Sequence, residues 1–496
     1  MPPTAQPLYR RLPKRRLLVL STCILVLLAV VLLALATARS PARAAGAQPT
    51  ATVGAAPGAG LQSPEVAPQT AQPQQIVVEY APSDSPAAHA SSAASSGEES
   101  EAGSSTTRVL RVRRGVGLEA TLAKLRAEKN VMWAVPDYVA HTAGTFIPND
   151  PGTSTKDPPG GWQQVQWNFD GKFGVNAPEA WANVAADGAP GGSRVIVAVL
   201  DTGVAYANRG KYRRSPDFSK YAFVSGYDFI DHTPYPNDHN GHGTFVAGTI
   251  AEATNNHYGL TGLAYAARIM PVRVLDSAGE GEASTIAEGV RFAVNHGARI
   301  INMSLEFSSN VTASDIPELV QALRYAYRHN VLVVAAAGNE GSTTIPYPAR
   351  GPHVVAVGAT TEHGCLASYS NYGRGITLVA PGGGPDMSLP GDPNCEPELP
   401  AGHDIFQMTF TGTNPRVFGF PNGYEGTSMA TPHVAATAAL ILAAKILGRK
   451  PTVAQITTRL KRTTRKLGDP QDQADYGAGL LDAATATARG GPGAVG

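Results

Sequence analysis

From residue 195 onward the chain repeats one pattern: a short, almost uninterrupted apolar run, then a longer segment with helical character. The runs are VIVAVLD (195–201), ARIMPVRVL (267–275), ARIINMSL (298–305), VLVVAAAG (331–338), VVAVGAT (354–360) and ITLVAPG (376–382). A strand with one face in water alternates polar and apolar residues, so runs without alternation belong to strands covered on both faces, as in a parallel sheet. Helical segments at 243–252, 285–296, 316–328 and 428–447 separate them. Strand, helix, strand, helix predicts an open, doubly wound, mostly parallel α/β sheet with right-handed crossovers. In such sheets functional groups gather at the carboxyl ends of the strands.

At 496 residues the chain exceeds one ordinary domain, and what precedes the α/β region divides further. Residues 1–44 hold seven basic side chains (Arg10, Arg11, Lys14, Arg15, Arg16, Arg39 and Arg43) and no acid. Behind the basic cluster runs Leu17 to Ala36 without a charge, followed by small-residue sites at 36–38 and 42–44. That order is the order of a secretory signal peptide. A run of this length also suffices to cross a bilayer, so cleaved signal and uncleaved signal anchor both stay open. Either one carries the rest of the chain out of the cytoplasm, with membrane contact only in the second case. Residues 45–75, mostly Ala, Pro, Gln and Gly, bury too little to offset chain entropy and are expected to be a disordered linker. Within 76–144 the strand-like IVVEY (76–80), RVLRV (108–112) and VMWAVPDYVA (131–140), with apolar helical spacing over 118–129, predict a small α+β module. Its Ser- and Ala-rich stretch 83–107 is expected to be a loop insert. A unit of that size is marginal on its own.

The net charge of +1 and the three cysteines exclude a nucleic-acid footprint and a small disulfide scaffold. The neutrality is a sum of unlike parts, because residues 145–496 hold 26 basic and 30 acidic side chains, about −4. If the signal is cut, Cys23 leaves with it, and Cys365 and Cys395 remain as a pair in an oxidising compartment, where a disulfide is expected. A basic run (Lys445, Arg449, Lys450, Arg459, Lys461, Arg462, Arg465, Lys466) reads as a solvated helix face, with attachment to a polyanion as the sharper alternative.

Three polar residues stand at strand ends or helix starts among small residues: Asp201 closes VIVAVLD, His242 lies in NGHGTFVAGT and Ser428 in GTSMATPHVA. Taken singly each has a bland reading, as turn residue, structural histidine and helix cap. Together they are the three groups that acyl transfer needs: a hydroxyl nucleophile, an imidazole to take its proton and a carboxylate to fix the imidazole tautomer. Asn339, after VLVVAAAG, adds a side-chain amide able to donate to a developing oxyanion.

The words AVLDTGV (198–204), NGHGTFVAGTIA (240–251), AAAGNEG (335–341) and GTSMATPHVAATAAL (426–440), in this order, resemble the subtilisin-like serine endopeptidases, and most closely their thermitase-like branch. The resemblance covers about Phe146 to Ala486. It implies Asp201, His242 and Ser428 as the triad of a peptide hydrolase, with Asn339 and the Ser428 backbone N–H as oxyanion donors. It implies a polypeptide substrate bound as an added strand between Gly279-Glu280-Gly281 and Ser304-Leu305-Glu306, with Ala336, Ala337 and Gly338 beside it. It also implies a monomer with no organic cofactor. The family carries Gly where this chain has Glu306, so a carboxylate there, with Glu280 opposite, narrows the pocket or favours basic substrate side chains unless it turns to solvent. The module before residue 145 resembles a subtilase propeptide, which would block the cleft with Tyr138 to Gly144 until self-cleavage between Val139 and Ile147. PNDP (148–151) and TNNHYGLTG (254–262) resemble the strong calcium site of the thermitase-like branch. Its ligands would be the side chains of Asp150, Asp217 and Asn256 and the carbonyls of Ala253, Tyr258 and Leu260, an all-oxygen set of the kind calcium prefers.

Overall fold

The computed structural model describes residues 75–81, 97–100, 106–112, 118–136, 146–153, 161–387, 392–395, 402–468 and 474–489. The apolar run 17–36, the linker and the segment 138–144 lie outside the described residues. Among the described residues no helix is long and apolar enough to cross a membrane. Contacts divide the chain into two units, 1–139 and 140–496.

In the first unit, strands β1 (Gln75–Tyr80), β2 (Gly97–Ser100), β3 (Thr107–Val112) and β4 (Val131–Pro136) form one antiparallel sheet of order β2-β3-β1-β4. Alternate residues Ile76, Val78 and Tyr80 of β1 pack with Leu110, Ala134 and the helix α1 (Leu118–Arg126), which supplies Leu122 and Leu125. This is the pleat's period of two meeting a helical stripe. One expectation is corrected: the stretch 83–107 is not loop throughout, because Gly97–Ser100 pairs with β3. A Gly-Glu-Glu-Ser strand has no β-propensity to announce it; the ladder hydrogen bonds of its neighbour make it a strand.

In the second unit, helix α2 (Ala177–Ala186) precedes β5 (Ile196–Asp201), β6 (Tyr227–Asp228), α3 (His242–Ala251), β7 (Arg268–Arg273), α4 (Ala283–Asn295) and β8 (Ile300–Met303). Then follow α5 (Pro317–Arg328), β9 (Leu332–Ala336), β10 (Val354–Thr360), β11 (Leu378–Pro381), α6 (Thr427–Ala443) and α7 (Val453–Arg462). The seven strands form one parallel sheet of order β11-β10-β9-β8-β5-β7-β6. From β5 the chain first runs to the edge at β6 and returns to place β7 between them, then crosses to the other side of β5 and adds β8 to β11. That reversal places a crevice at the carboxyl ends of β5 and β8.

Each sheet face has its own core. One joins Val197, Val199, Ile300, Leu332 and Val355 to α2, α3 and α6; the other joins Ala198, Leu200, Ile301 and Val333 to α4 and α5. Helix α6 is apolar on nearly all sides and almost wholly buried, as a central helix must be. The basic run at the C-terminus is corrected in part: Arg459 of α7 is 1% exposed, and its guanidinium donates to the carbonyls of Thr485, Ala486 and Ala488. Those carbonyls belong to the end of a short helix, whose unsatisfied acceptors a cation serves well.

Candidate active site

Asp201 is the last residue of β5 and its side chain is fully buried. Its Oδ1 accepts the Thr202 N–H at 2.7 Å and faces His242 Nδ1 at 2.8 Å. A carboxylate can only accept, so Nδ1 carries the proton and Nε2 is left with a free lone pair. His242 is the first residue of α3, and its ring keeps about a quarter of its surface exposed (26%). The two elements meet closely because Gly243 has no side chain: a Cβ there would lie 2.1 Å from the Gly203 carbonyl oxygen. Burial alone would lower the His242 pKa, but the Asp201 charge and hydrogen bond and the Asp238 charge outweigh it, and the net shift is upward.

Asp238 holds this turn together. Its buried carboxylate accepts from Thr202 Oγ1, the Asn240 and Gly241 N–H groups and both the N–H and Oγ1 of Thr244. Sequence reading missed it; the only signal was an acid four residues before His242 in DHNGH.

Ser428 is the second residue of α6, so its backbone N–H is one of those a helix start leaves without an intrahelical partner. Its Oγ donates to the Ser304 carbonyl at 3.2 Å rather than to His242. Asn339 lies three residues beyond β9, and its Oδ1 accepts from the Thr427 N–H at 2.8 Å and Thr427 Oγ1 at 3.0 Å. With Oδ1 so held, the amide Nδ2 is fixed as a donor, and it reaches Glu306 Oε1 at 3.2 Å. Thr427 is a second residue that the sequence reading did not single out, although it stands directly before Ser428 in GTS.

A cleft of about 510 Å³ is lined by His242, Gly279-Glu280-Gly281 and Ser304-Leu305-Glu306, the two segments expected to flank a substrate strand. Ala336, Ala337 and Gly338 are buried at the end of β9. Glu306 does not turn to solvent. It is half-buried between Asn339 and Glu340, and the carboxyl that faces it is that of Glu340; Glu280 lines the same cleft. Burial first, then the Glu340 charge, push the Glu306 carboxyl up to about 7.

The segments that carry the residues implied for calcium do come together. Asp150 accepts the Asn255 and Asn256 N–H groups at 2.8 and 3.0 Å, and Asp217 accepts Asn256 Nδ2 at 2.9 Å and the Leu260 N–H at 3.0 Å. Both carboxylates are fully buried. Burial raises Asp150 to about 6 and Asp217 well above the usual carboxylate range, and the Asp150 charge adds to the latter. Among the described residues no donor reaches the carbonyls of Ala253, Tyr258 or Leu260. Two repelling buried carboxylates, in segments that also carry three carbonyls without a protein donor, fit a hard divalent cation. Asn256 fits only after its amide turns its oxygen inward, an orientation that hydrogen bonding alone decides. Among the described residues no three His, Cys, Asp or Glu side chains converge as a metal cluster, so neutral oxygens would have to supply the rest. Elsewhere, Cys365 and Cys395 are joined as a disulfide.

The family model described as the subtilase family matches residues 192–479. Subtilisin Savinase from Lederbergia lenta is 39% identical over 296 residues, 60% of this chain and 91% of that protein. A thermophilic serine proteinase from Bacillus sp. (strain AK1) is 35% identical over 324 residues, 65% of this chain and 66% of that protein. Among solved structures, a protease from Pseudoalteromonas arctica superimposes with a TM-score of 0.54 at 31% identity, covering 69% of this chain and 99% of that one. A parallel seven-stranded sheet flanked by helices, with a cleft at its carboxyl edge, defines an α/β protein of the doubly wound class. The chain belongs to the subtilase family and is a serine endopeptidase acting on polypeptides.

Proposed function

We propose that Ser428 is the nucleophile, His242 its general base and then acid, Asp201 the group that orients His242, and Asn339 with the Ser428 N–H the oxyanion donors. The observation that carries this reading is the His242–Asp201 contact of 2.8 Å at the mouth of the same cleft on which Ser304 holds Ser428 Oγ. A peptide lies as a strand between 279–281 and 304–306, and its carbonyl is polarised by Asn339 Nδ2. Ser428 Oγ swings from the Ser304 carbonyl to attack, its proton passes to His242 Nε2, and the acyl-enzyme forms as His242 returns that proton to the leaving amine. Water then repeats the sequence in reverse roles. Apo hydrogen bonds of catalytic groups are often unformed, which accommodates the present Ser428 position.

The enzyme is made, in this reading, as an exported, self-processing precursor of the thermitase-like branch. Leu17 to Ala36 directs export, and the module 76–144 is a propeptide that inhibits the cleft until cut near residue 145. Exposure of Met132, Trp133 and Val135 on β4 suits a unit that needs a partner surface. Calcium would be held by Asp150, Asp217 and the carbonyls of Ala253, Tyr258 and Leu260, with Asn256 after its amide turn. When bound it supplies charge compensation that ties residue 150 to the body of the domain. The deciding experiment is expression of the full chain with and without Ser428→Ala. Wild type should appear as a product shortened near residue 145 that an aryl sulfonyl fluoride labels at Ser428. The variant should stay full length, with kcat lower by about 10⁶-fold, the magnitude known for a subtilisin. A wild-type chain that neither shortens nor takes the label defeats the reading.

A further inference from the structure

Glu306 interferes with the machinery just described unless something neutralises it. Its Oε1 accepts one of the two protons of Asn339 Nδ2, the nitrogen from which a developing oxyanion needs the other. Its Oε2 is buried and has no donor. That oxygen packs with Glu340 Oε2 against Gly338, where a Cβ would lie 2.6 Å from the first and 2.9 Å from the second. Asn371, which donates to Glu340, is neutral. Glu280 and His242 are the other titratable groups lining the cleft, and neither Lys nor Arg is among its lining residues. An ionised Glu306 therefore both pulls the oxyanion donor toward itself and places negative charge where more negative charge must develop.

Resting on the reading of Asn339 as the oxyanion donor, we propose that Glu306 makes the enzyme select substrates with a cationic side chain, lysine or arginine, on the residue whose carbonyl is attacked. The attacked carbonyl sits at Asn339 Nδ2, and Glu306 is bonded to that same nitrogen. The side chain one bond away from the carbonyl is therefore within reach of Glu306 and Glu340. A cationic head between the two carboxyls gives Glu306 Oε2 its missing donor and offsets their mutual repulsion. It also draws Oε1 away from Asn339, so that recognition of the side chain frees the donor used in the reaction. A neutral side chain leaves the amide engaged.

The test uses the full chain after self-processing and two peptide amides that differ only in lysine or norleucine ahead of the scissile bond. At pH 8 the lysine substrate should be favoured by about 10-fold or more in kcat/KM, the size of one partly buried charge pair. Because both substrates share the His242 titration, their ratio isolates Glu306. The preference should fall toward unity as pH drops to about 5.5, below the elevated Glu306 titration. Glu306→Gln should bring the ratio to within about twofold. Glu306→Gly should do the same and raise kcat on the norleucine substrate, because Asn339 is released. A lysine preference that survives both substitutions, or a wild-type ratio near unity from pH 5.5 to 8 with both substrates cleaved, overturns the selectivity and leaves the mechanism standing. A wild type that cleaves neither substrate and takes no sulfonyl fluoride label at Ser428 overturns the mechanism and the selectivity together.

Discussion

At the residue scale, the pH dependence of activity rests on His242. As the proposed base it must be neutral, and its pKa is raised net by Asp201 and Asp238 against the lowering effect of burial. Activity should therefore rise with pH along an acid limb whose midpoint lies above about 6.5, the ordinary histidine value. The profile is best taken as kcat/KM on the Glu306→Gly variant, so that no Glu306 titration, through a substrate cation or through Asn339, adds to that of His242. Asp201→Asn removes the charge and favours the wrong tautomer. It should move the limb to lower pH and reduce kcat by about 10⁴-fold. A limb that stays in place would show that Asp201 does not set the His242 titration.

At the element scale, the site depends on where two secondary structures start and stop. Helix α6 begins at Thr427, so Thr427 meets Asn339 while Ser428 presents its free N–H into the cleft. Asn339→Ala should lower kcat by about 10²–10³-fold with little change in KM, the range known for an oxyanion donor in subtilisin. Thr427→Val removes the hydroxyl that accepts the Gly338 N–H and donates to Asn339, and leaves the Thr427 backbone N–H in place. Its effect should be smaller, about 10-fold in kcat for a loosened hydrogen bond, again with KM little changed. If it instead raises KM alone, Thr427 shapes substrate binding and does not position Asn339. Strands β5 and β7 to β11 and helices α3 to α6 were legible because buried parallel strands have no polar face and helices α4 and α5 have clear apolar stripes; helix α2 and the two-residue strand β6 were not singled out. Strand β2 and the buried guanidinium of Arg459 were not legible, since their partners come from other segments.

At the scale of the whole molecule, the Asp150–Asp217 cluster ties Asp150 to segments 67 or more positions further along the chain and leaves two buried carboxylates repelling one another. A bound cation at about 100 times its Kd stabilises the folded state by about 2.7 kcal/mol. For a unit of about 350 residues that corresponds to a Tm lower by about 4 °C on chelation with EDTA, restored by calcium and not by magnesium. An unchanged Tm would count against the cluster as a cation site. The Asp150→Asn, Asp217→Asn double variant should remove the EDTA response altogether.

Asp201, His242, Asn339 and Ser428 could be nominated from the sequence because each sits in a short motif whose flanking glycines and apolar strand are local properties. The doubly wound sheet could be predicted for the same reason: periodicity and burial of a strand are written along the strand itself. What Glu306 touches was decided only by tertiary structure. The sequence allowed it to face Glu280 or solvent, and the folded chain sets it between Asn339 and Glu340, which arrive from the end of a neighbouring strand. The parts played by Thr427 and Asp238 are of the same kind, since a hydrogen bond across 88 positions depends on which strand ends the sheet order brings side by side. Local sequence specifies the elements, while packing specifies which of their ends meet.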